Sequence, residues 1–208
     1  MLHEGGMSRC LICLDYIKYK GMSLYLTAIM PPEELAEQIR EIKEELSERF
    51  NTYAALKPPV HITLYRPVNI KEDFENHLIK VLKPISYNHA PFKVDLLNFD
   101  CFTIQTLFIS VVKNSLLGDL QKEISSVFHK NKIDPKEHTG NTTFHPHITV
   151  AYRDIPPEVF PVIWDEYKNK KFKRSFLVDH FSLLKHDGKQ WQIFREFPLQ
   201  RIENPGLF

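Results

Sequence analysis

The sequence predicts an α+β fold: a bilobal, pseudo-twofold domain of two β-α-β-α-β-β repeats, with antiparallel sheets lining a central groove. Three observations carry this expectation. The tripeptide His-Ile-Thr occurs twice in nearly the same setting, as KPPVHITLYRP at 57–67 and FHPHITVAYR at 144–153. Short apolar runs with strand character alternate with amphipathic, helix-spaced stretches, which favours hairpin-rich α+β over a doubly wound sheet. The offsets between matching segments also stay nearly constant. LFISVV from Leu107 follows LYLTAI from Leu24 by 83 residues, Phe176-Leu-Val-Asp179 follows Phe92-Lys-Val-Asp95 by 84, and His147 follows His61 by 86. A period near 85 is too long for a solenoid unit and two copies are too few, so two equivalent lobes are expected.

The elements follow in order. LYLTAI at 24–29 is short and apolar and is stopped by Pro31-Pro32, so it reads as a strand. Residues 32–49 place Leu35, Ile39, Ile42 and Leu46 at helical spacing, with Pro in the first turn. The first motif strand is expected over 60–65, stopped by Pro67, and a helix over 70–82 carries Phe74, Leu78, Ile79 and Leu82. Strands at 92–99 and 106–112 follow. In the second half, Leu117, Leu120, Ile124 and Phe128 mark a helix over 116–128, and 156–167 a further one. Strands at 176–179 and 191–197 close the chain. The lobes are expected at about 22–105 and 106–200 of a domain spanning 22–208, with residues 1–21 as an N-terminal extension.

In each motif the strand period of two places His and Thr on one face and two aliphatic residues on the other. His61 and Thr63 project together, as do His147 and Thr149. Two imidazoles from equivalent strands can divide acid and base work near neutral pH, and two hydroxyls can hold the non-bridging oxygens of a phosphate. Neither task requires a metal or another cofactor. A lone His-x-Thr would most simply be a satisfied histidine at a sheet edge, but two copies at symmetric positions put polar groups where a core would not.

The 208 residues, 43% hydrophobic and 25% charged, suit an ordinary globular protein, expected to act as a monomer. A net charge of +1 gives no long-range basic field, so a nucleic-acid partner would be met locally, as a small or terminal piece of RNA. No apolar run reaches the roughly 18 to 20 residues of a membrane span, and the N-terminus lacks the pattern of a signal peptide, which points to the cytoplasm. Cys10-Leu-Ile-Cys13 is a lone C-x-x-C with no second pair, weak ground for zinc. The basic run KNKKFKR at 168–174 reads as a solvated helix end and loop rather than an RNA track.

The two motifs, His61-Ile-Thr-Leu64 and His147-Ile-Thr-Val150, together with the opening MSLYLTAIMPPEELAEQI, resemble the two-histidine phosphoesterases, in particular their 2'-5' RNA ligase branch. The resemblance spans 22–199. It implies two pseudo-symmetric lobes with the site between them, and hydrolysis of 2',3'-cyclic phosphate ends on RNA or nucleotides. In some members it also implies reversible 2'-5' joining, without metal or ATP. By motif position His61 and His147 become acid and base and Thr63 and Thr149 phosphate ligands. The expected division has His147 activating water and His61 protonating the departing ribose oxygen. Arg153, Tyr65 and Arg66 are further substrate-binding candidates. By alternation Arg153 and Tyr65 share the faces of the histidines, whereas Arg66 lies opposite. The first motif departs from the family's usual Leu-Gly-like turn with Tyr65-Arg66-Pro67. Two other readings stay open: a non-catalytic module that binds RNA ends in the same groove, and a metal site completed by His145.

Overall fold

The computed structural model describes residues 21–102, 105–134 and 143–200. The Cys10/Cys13 pair and residues 1–20 of the expected extension lie outside the described residues. The order is β1 (Met22–Ile29), α1 (Glu33–Phe50), β2 (Ile62–Lys71), α2 (Glu75–Leu82), β3 (Phe92–Phe102), β4 (Thr106–Val111), α3 (Ser115–Lys130), β5 (His147–Tyr152), α4 (Phe160–Tyr167), β6 (Lys173–Val178), β7 (His180–His186) and β8 (Trp191–Pro198). The strands form two antiparallel sheets of four, ordered β2-β1-β7-β8 and β5-β4-β3-β6. This is the α+β architecture that the sequence predicts.

Local chemistry sets the helix limits. α1 runs until Asn51 turns left-handed at φ 56°. α3 starts at Asn114, whose side chain accepts from the Leu117 backbone N–H at 3.0 Å.

Some boundaries move. The first motif strand does not stop at Pro67 but continues to Lys71, because β2 is an edge strand and the missing N–H of proline is tolerated there. Arg66 and Pro67 together stand opposite the single residue Leu26, a bulge in the β1–β2 ladder. Ile70 is consequently a buried strand residue, and the helix expected over 70–82 is shortened to α2, preceded by a 3-10 turn at Glu72–Phe74. The sequence predicts no strand between 179 and 191, yet β7 forms there. It lies inside its sheet, and Phe181, Ser182, Leu183 and Leu184 are all 0% exposed, so it shows none of the alternation of a half-buried strand.

The sheets also cut across the boundary expected near residue 105. β3 joins β4 in the second sheet, since only three residues separate them and an antiparallel hairpin is the connection that such a link permits. β7 and β8 return to the first sheet, the chain passing from one sheet to the other at Asp179.

The motif strands β2 and β5 are the edges of their sheets, and they lie against one another. Each helix that follows a half's first strand packs on the other half's motif strand: α1 on β5 and α3 on β2. Two polar braces repeat this crossing. Asp154, just after β5, accepts from the backbone N–H of Tyr53 at 2.7 Å and of Ala54 at 2.8 Å, beyond α1. Asp134, beyond α3, accepts from the Tyr65 hydroxyl at 3.0 Å and pairs with the Arg66 guanidinium, both on β2. Among the described residues no helix is long and apolar enough to cross a membrane.

Ile62 and Ile148, each 0% exposed, pair with Ile29 and Ile109 on the core faces. Ile62→Ala and Ile148→Ala should each cost about 2–5 kcal/mol of stability in chemical denaturation. Losses below about 1 kcal/mol would show that these faces are not packed as described.

Candidate active site

The site begins with two identical local constructions. His61, one residue before β2, has its Nδ1 2.7 Å from the Pro59 carbonyl oxygen. His147, the first residue of β5, has its Nδ1 2.7 Å from the His145 carbonyl oxygen. A carbonyl can only accept, so each Nδ1 carries a proton and donates it. That fixes both rings in one tautomer, with Nε2 as the basic nitrogen. In both cases the carbonyl lies two residues upstream and a proline adjoins or supplies it, so the turn into the strand also aims the ring.

Sheet register places the threonines beside them. Thr63 stands opposite Ala28, Thr149 opposite Phe108 and His147 opposite Ser110, and opposed residues in an antiparallel pair share a face. Thr63 and Thr149 are half-buried, and neither hydroxyl is bonded to another group among the described residues. The structure therefore brings His61, Thr63, His147 and Thr149 together along two touching edge strands. His147 is near enough for its charge to bear on His61.

Both imidazoles are held below their usual pKa. Burial is the main cause for each. His61 is brought to about 4, its own burial being reinforced by the charges of Lys43 and His147 and partly offset by the Pro59 carbonyl. His147 is lowered by burial and by neighbouring His145, against the pull of the His145 carbonyl. Two phenyl rings provide part of the apolar wall: Phe108 lies with its centroid 4.9 Å from the His147 ring and Phe102 at 5.0 Å, edge-on.

The remaining candidates fall differently from the alternation argument. The bulge at Arg66 and Pro67 lets Arg66 reach the same carboxylate as Tyr65, so the two residues are not on opposite sides as regular alternation required. Tyr65 stacks on Phe128 at 4.1 Å, which occupies one face of its ring, and burial followed by Asp134 raises its hydroxyl to about 12. The β1–β2 ladder has a further bulge at Leu64, which breaks the alternation between Thr63 and Tyr65, and a matching one at Val150 interrupts the β4–β5 ladder; β5 ends at Tyr152. Arg153 is thus outside the strand, exposed and left-handed at φ 69°, with its guanidinium over the Tyr152 ring at 5.1 Å. Its position no longer follows from that of His147.

His145 meets Phe102 and Phe108 edge-on at 5.0 and 5.6 Å. Among the described residues no group of three His, Cys, Asp or Glu converges as metal ligands would. In the basic run, Lys170 bonds Glu166 at 2.9 Å, Lys168 pairs with Asp165, and Arg174 donates to Gln38 at 2.8 Å. These are contacts of a helix end and the segment after it.

Two site residues escaped the sequence reading. Asp134 gave no signal, being a lone carboxylate in a turn. Lys43 did give one: it lies four residues beyond Ile39 on the buried stripe of α1 and is itself only 3% exposed.

Residues 31–190 match the model of the 2'-5' RNA ligase superfamily. A protein of Halalkalibacterium halodurans named as a candidate phosphoesterase is 24% identical over 183 residues, covering 86% of this chain and 99% of its own. Among solved structures, TT0787 of Thermus thermophilus superposes with a TM-score of 0.60 at 18% identity, covering 86% of this chain and 98% of that one. LigT of E. coli, solved with 3'-AMP, gives a TM-score of 0.57 at 16% identity, covering 86% and 99%. With the family model spanning most of its length and both motifs in place, the chain belongs to the 2'-5' RNA ligase superfamily of two-histidine phosphoesterases.

Proposed function

We propose that this protein opens 2',3'-cyclic phosphates at the ends of RNA or on small nucleotides, using His61 and His147 as a paired base and acid. The observation that carries the reading is the matched pair of carbonyl-tethered imidazoles on touching edge strands, each with an unengaged threonine hydroxyl on its face. The 3'-AMP seen in LigT is a nucleotide bound by a protein of the same fold, and supports a nucleotide-sized substrate.

In this scheme one Nε2 takes a proton from water as the oxygen attacks phosphorus. The bond from phosphorus to one ribose oxygen breaks, and the other imidazolium delivers its proton to that oxygen. The product is a ribose phosphomonoester, with the proton count balanced between the two rings. Thr63 and Thr149 hold the non-bridging oxygens, which carry the developing charge. With a ribose 5'-hydroxyl in place of water as the attacking group, the same steps would join a 2'-5' linkage, the 3'-oxygen leaving with the proton from the acid, and run backwards they would cleave that linkage. Tyr65, Arg66 and Arg153 flank the motifs and are proposed as contacts to the remainder of the substrate, Arg66 by way of its exposed side.

The division of labour assigned here reverses the one suggested by motif position. His61, held at about 4 beside the Lys43 ammonium, stays neutral when an anion binds and is the better-placed base. His147, without that cation, takes up the proton that a bound phosphate favours, and serves as the acid.

His61→Ala and His147→Ala should each lower kcat by roughly two to four orders of magnitude on a 2',3'-cyclic nucleotide, assayed with chelator present. Thr63→Val and Thr149→Val should chiefly weaken the grip on phosphate, by about 1–3 kcal/mol in kcat/KM. Absence of turnover by the wild type on both a cyclic nucleotide and a short cyclic-phosphate RNA, with binding retained, would favour the non-catalytic module.

The depressed His61 also makes a prediction about stability. Its folded pKa of about 4 lies below the usual 6.5, so between these values the unfolded chain binds the proton and the folded one does not. Stability should therefore fall as pH drops from about 6.5 to about 4, by on the order of 3 kcal/mol from this group, and His61→Gln should remove that part of the slope. An unchanged pH dependence of the unfolding free energy in the variant would contradict the burial described.

A further inference from the structure

We propose that Lys43 is a positioning residue of the two-histidine site: its buried ammonium sets a fixed positive charge behind His61 and steadies the turn whose carbonyl orients that ring. This rests on the paired-histidine reading above and adds to it a residue that lies in neither motif.

Four observations place Lys43 there. It sits on the core-facing stripe of α1 with Leu35, Ile39 and Leu46, and is 3% exposed. Its Nζ has one described partner, the Pro58 carbonyl oxygen at a long 3.4 Å, and among the described residues no carboxylate pairs with it. The next carbonyl along the chain, that of Pro59, is the one that holds His61 Nδ1. Lys43 thus grips one end of a two-proline turn and His61 the other.

The pseudo-twofold relation shows what packing alone would put in this position. Leu35, Ile39 and Lys43 on α1 correspond, at a constant offset of 85, to Leu120, Ile124 and Phe128 on α3. Phe128 is 1% exposed and stacks on Tyr65 at 4.1 Å, as a core residue should. In the equivalent place α1 carries an ammonium. Burial lowers Lys43 to about 8, with Arg40 adding to the effect, so at neutral pH the group remains mostly charged in a setting that disfavours the charge. Such a residue costs stability, and methionine would fill the same volume without that cost.

The charge acts on the chemistry through His61. The ionisable groups that bear on the Lys43–His61 pair are Arg40 on α1 itself and His147 on β5. The turn Ala54–Leu56, packed against both α1 and β5, contributes none. An ammonium charged at neutral pH keeps His61 unprotonated as the site fills with negative charge, while the charge that bears on His147 is that of the His145 imidazole.

The test is an NMR titration of the His61 ring in the wild-type protein, Lys43→Met and Lys43→Gln, paired with pH–rate profiles on a 2',3'-cyclic nucleotide and thermal unfolding. Both variants should raise the His61 pKa by roughly half a unit or more. The acid limb of kcat/KM should move with it and turnover should fall about tenfold, while the Lys43→Met midpoint stays level or rises by a few degrees. A His61 titration that does not move in either variant overturns the proposal, and a lowered midpoint with that unmoved titration marks Lys43 as a packing residue. Because the titration needs no substrate, it is decided even if the wild type proves to lack turnover, which would count against the catalytic reading and not against the link between Lys43 and His61.

Discussion

The meeting of two sheet edges is the constraint on which the rest depends. An edge strand leaves one row of backbone groups unpaired and is normally covered or blunted. Here β2 and β5 are both edges, lie against each other, and each receives the helix of the opposite half. That crossing makes the two halves inseparable at the site: a shift of either helix would carry the other half's motif strand with it. The braces from Asp154 to the segment beyond α1, and from Asp134 to Tyr65 and Arg66, tie down the same crossing with hydrogen bonds.

Because the strands are edges, their polar residues need not be fitted between neighbours on both sides. Ile62 and Ile148 are sunk in the core, while the alternate positions hold half-buried His and Thr. The environment is dry enough to hold both imidazoles below their ordinary range, and the upstream carbonyls decide which nitrogen carries the proton. Low dielectric strengthens every later interaction with a phosphate, and the half-buried Thr63 and Thr149 hydroxyls, bonded to no other described group, are open to one.

Much of this was legible in the sequence, for physical reasons that can be named. The repeated His-Ile-Thr followed by an aliphatic residue encodes two faces, and in the structure Ile62, Leu64, Ile148 and Val150 are buried while His61, Thr63, His147 and Thr149 are half-buried. What was not legible depended on departures from regularity. The bulges at Leu64, Arg66–Pro67 and Val150 shift what lies beyond them, so alternation gave no true bearing on Tyr65 and Arg153 and misplaced Arg66 relative to Tyr65. β7 was hidden because a strand buried on both faces has no period to read. The exchange of β3 against β7 and β8 between sheets follows from link length and pairing partners, which hydrophobic patterning does not report. Lys43 was in plain view among the spacings of α1, but a charged residue within an amphipathic pattern is ordinarily assigned to the solvent side.

For the proposed acid–base pair a symmetric frame poses a chemical problem, since the two rings must differ in protonation while their strands, tethers and tautomers match. The asymmetry has to come from what surrounds each ring. Around His147 the structure supplies Phe102 and Phe108, which desolvate it, and His145, whose imidazole acts on it through charge. Near His61 it supplies an ammonium, on the helix position where the other half has Phe128. In the proposed scheme the one position at which Lys43 answers to Phe128 is what tells the two histidines apart, since an apolar wall makes any charge costly while a cation opposes positive charge specifically. The repeat provides the matched pair, and in the proposed scheme it is the departure from the repeat that lets the pair act as base and acid.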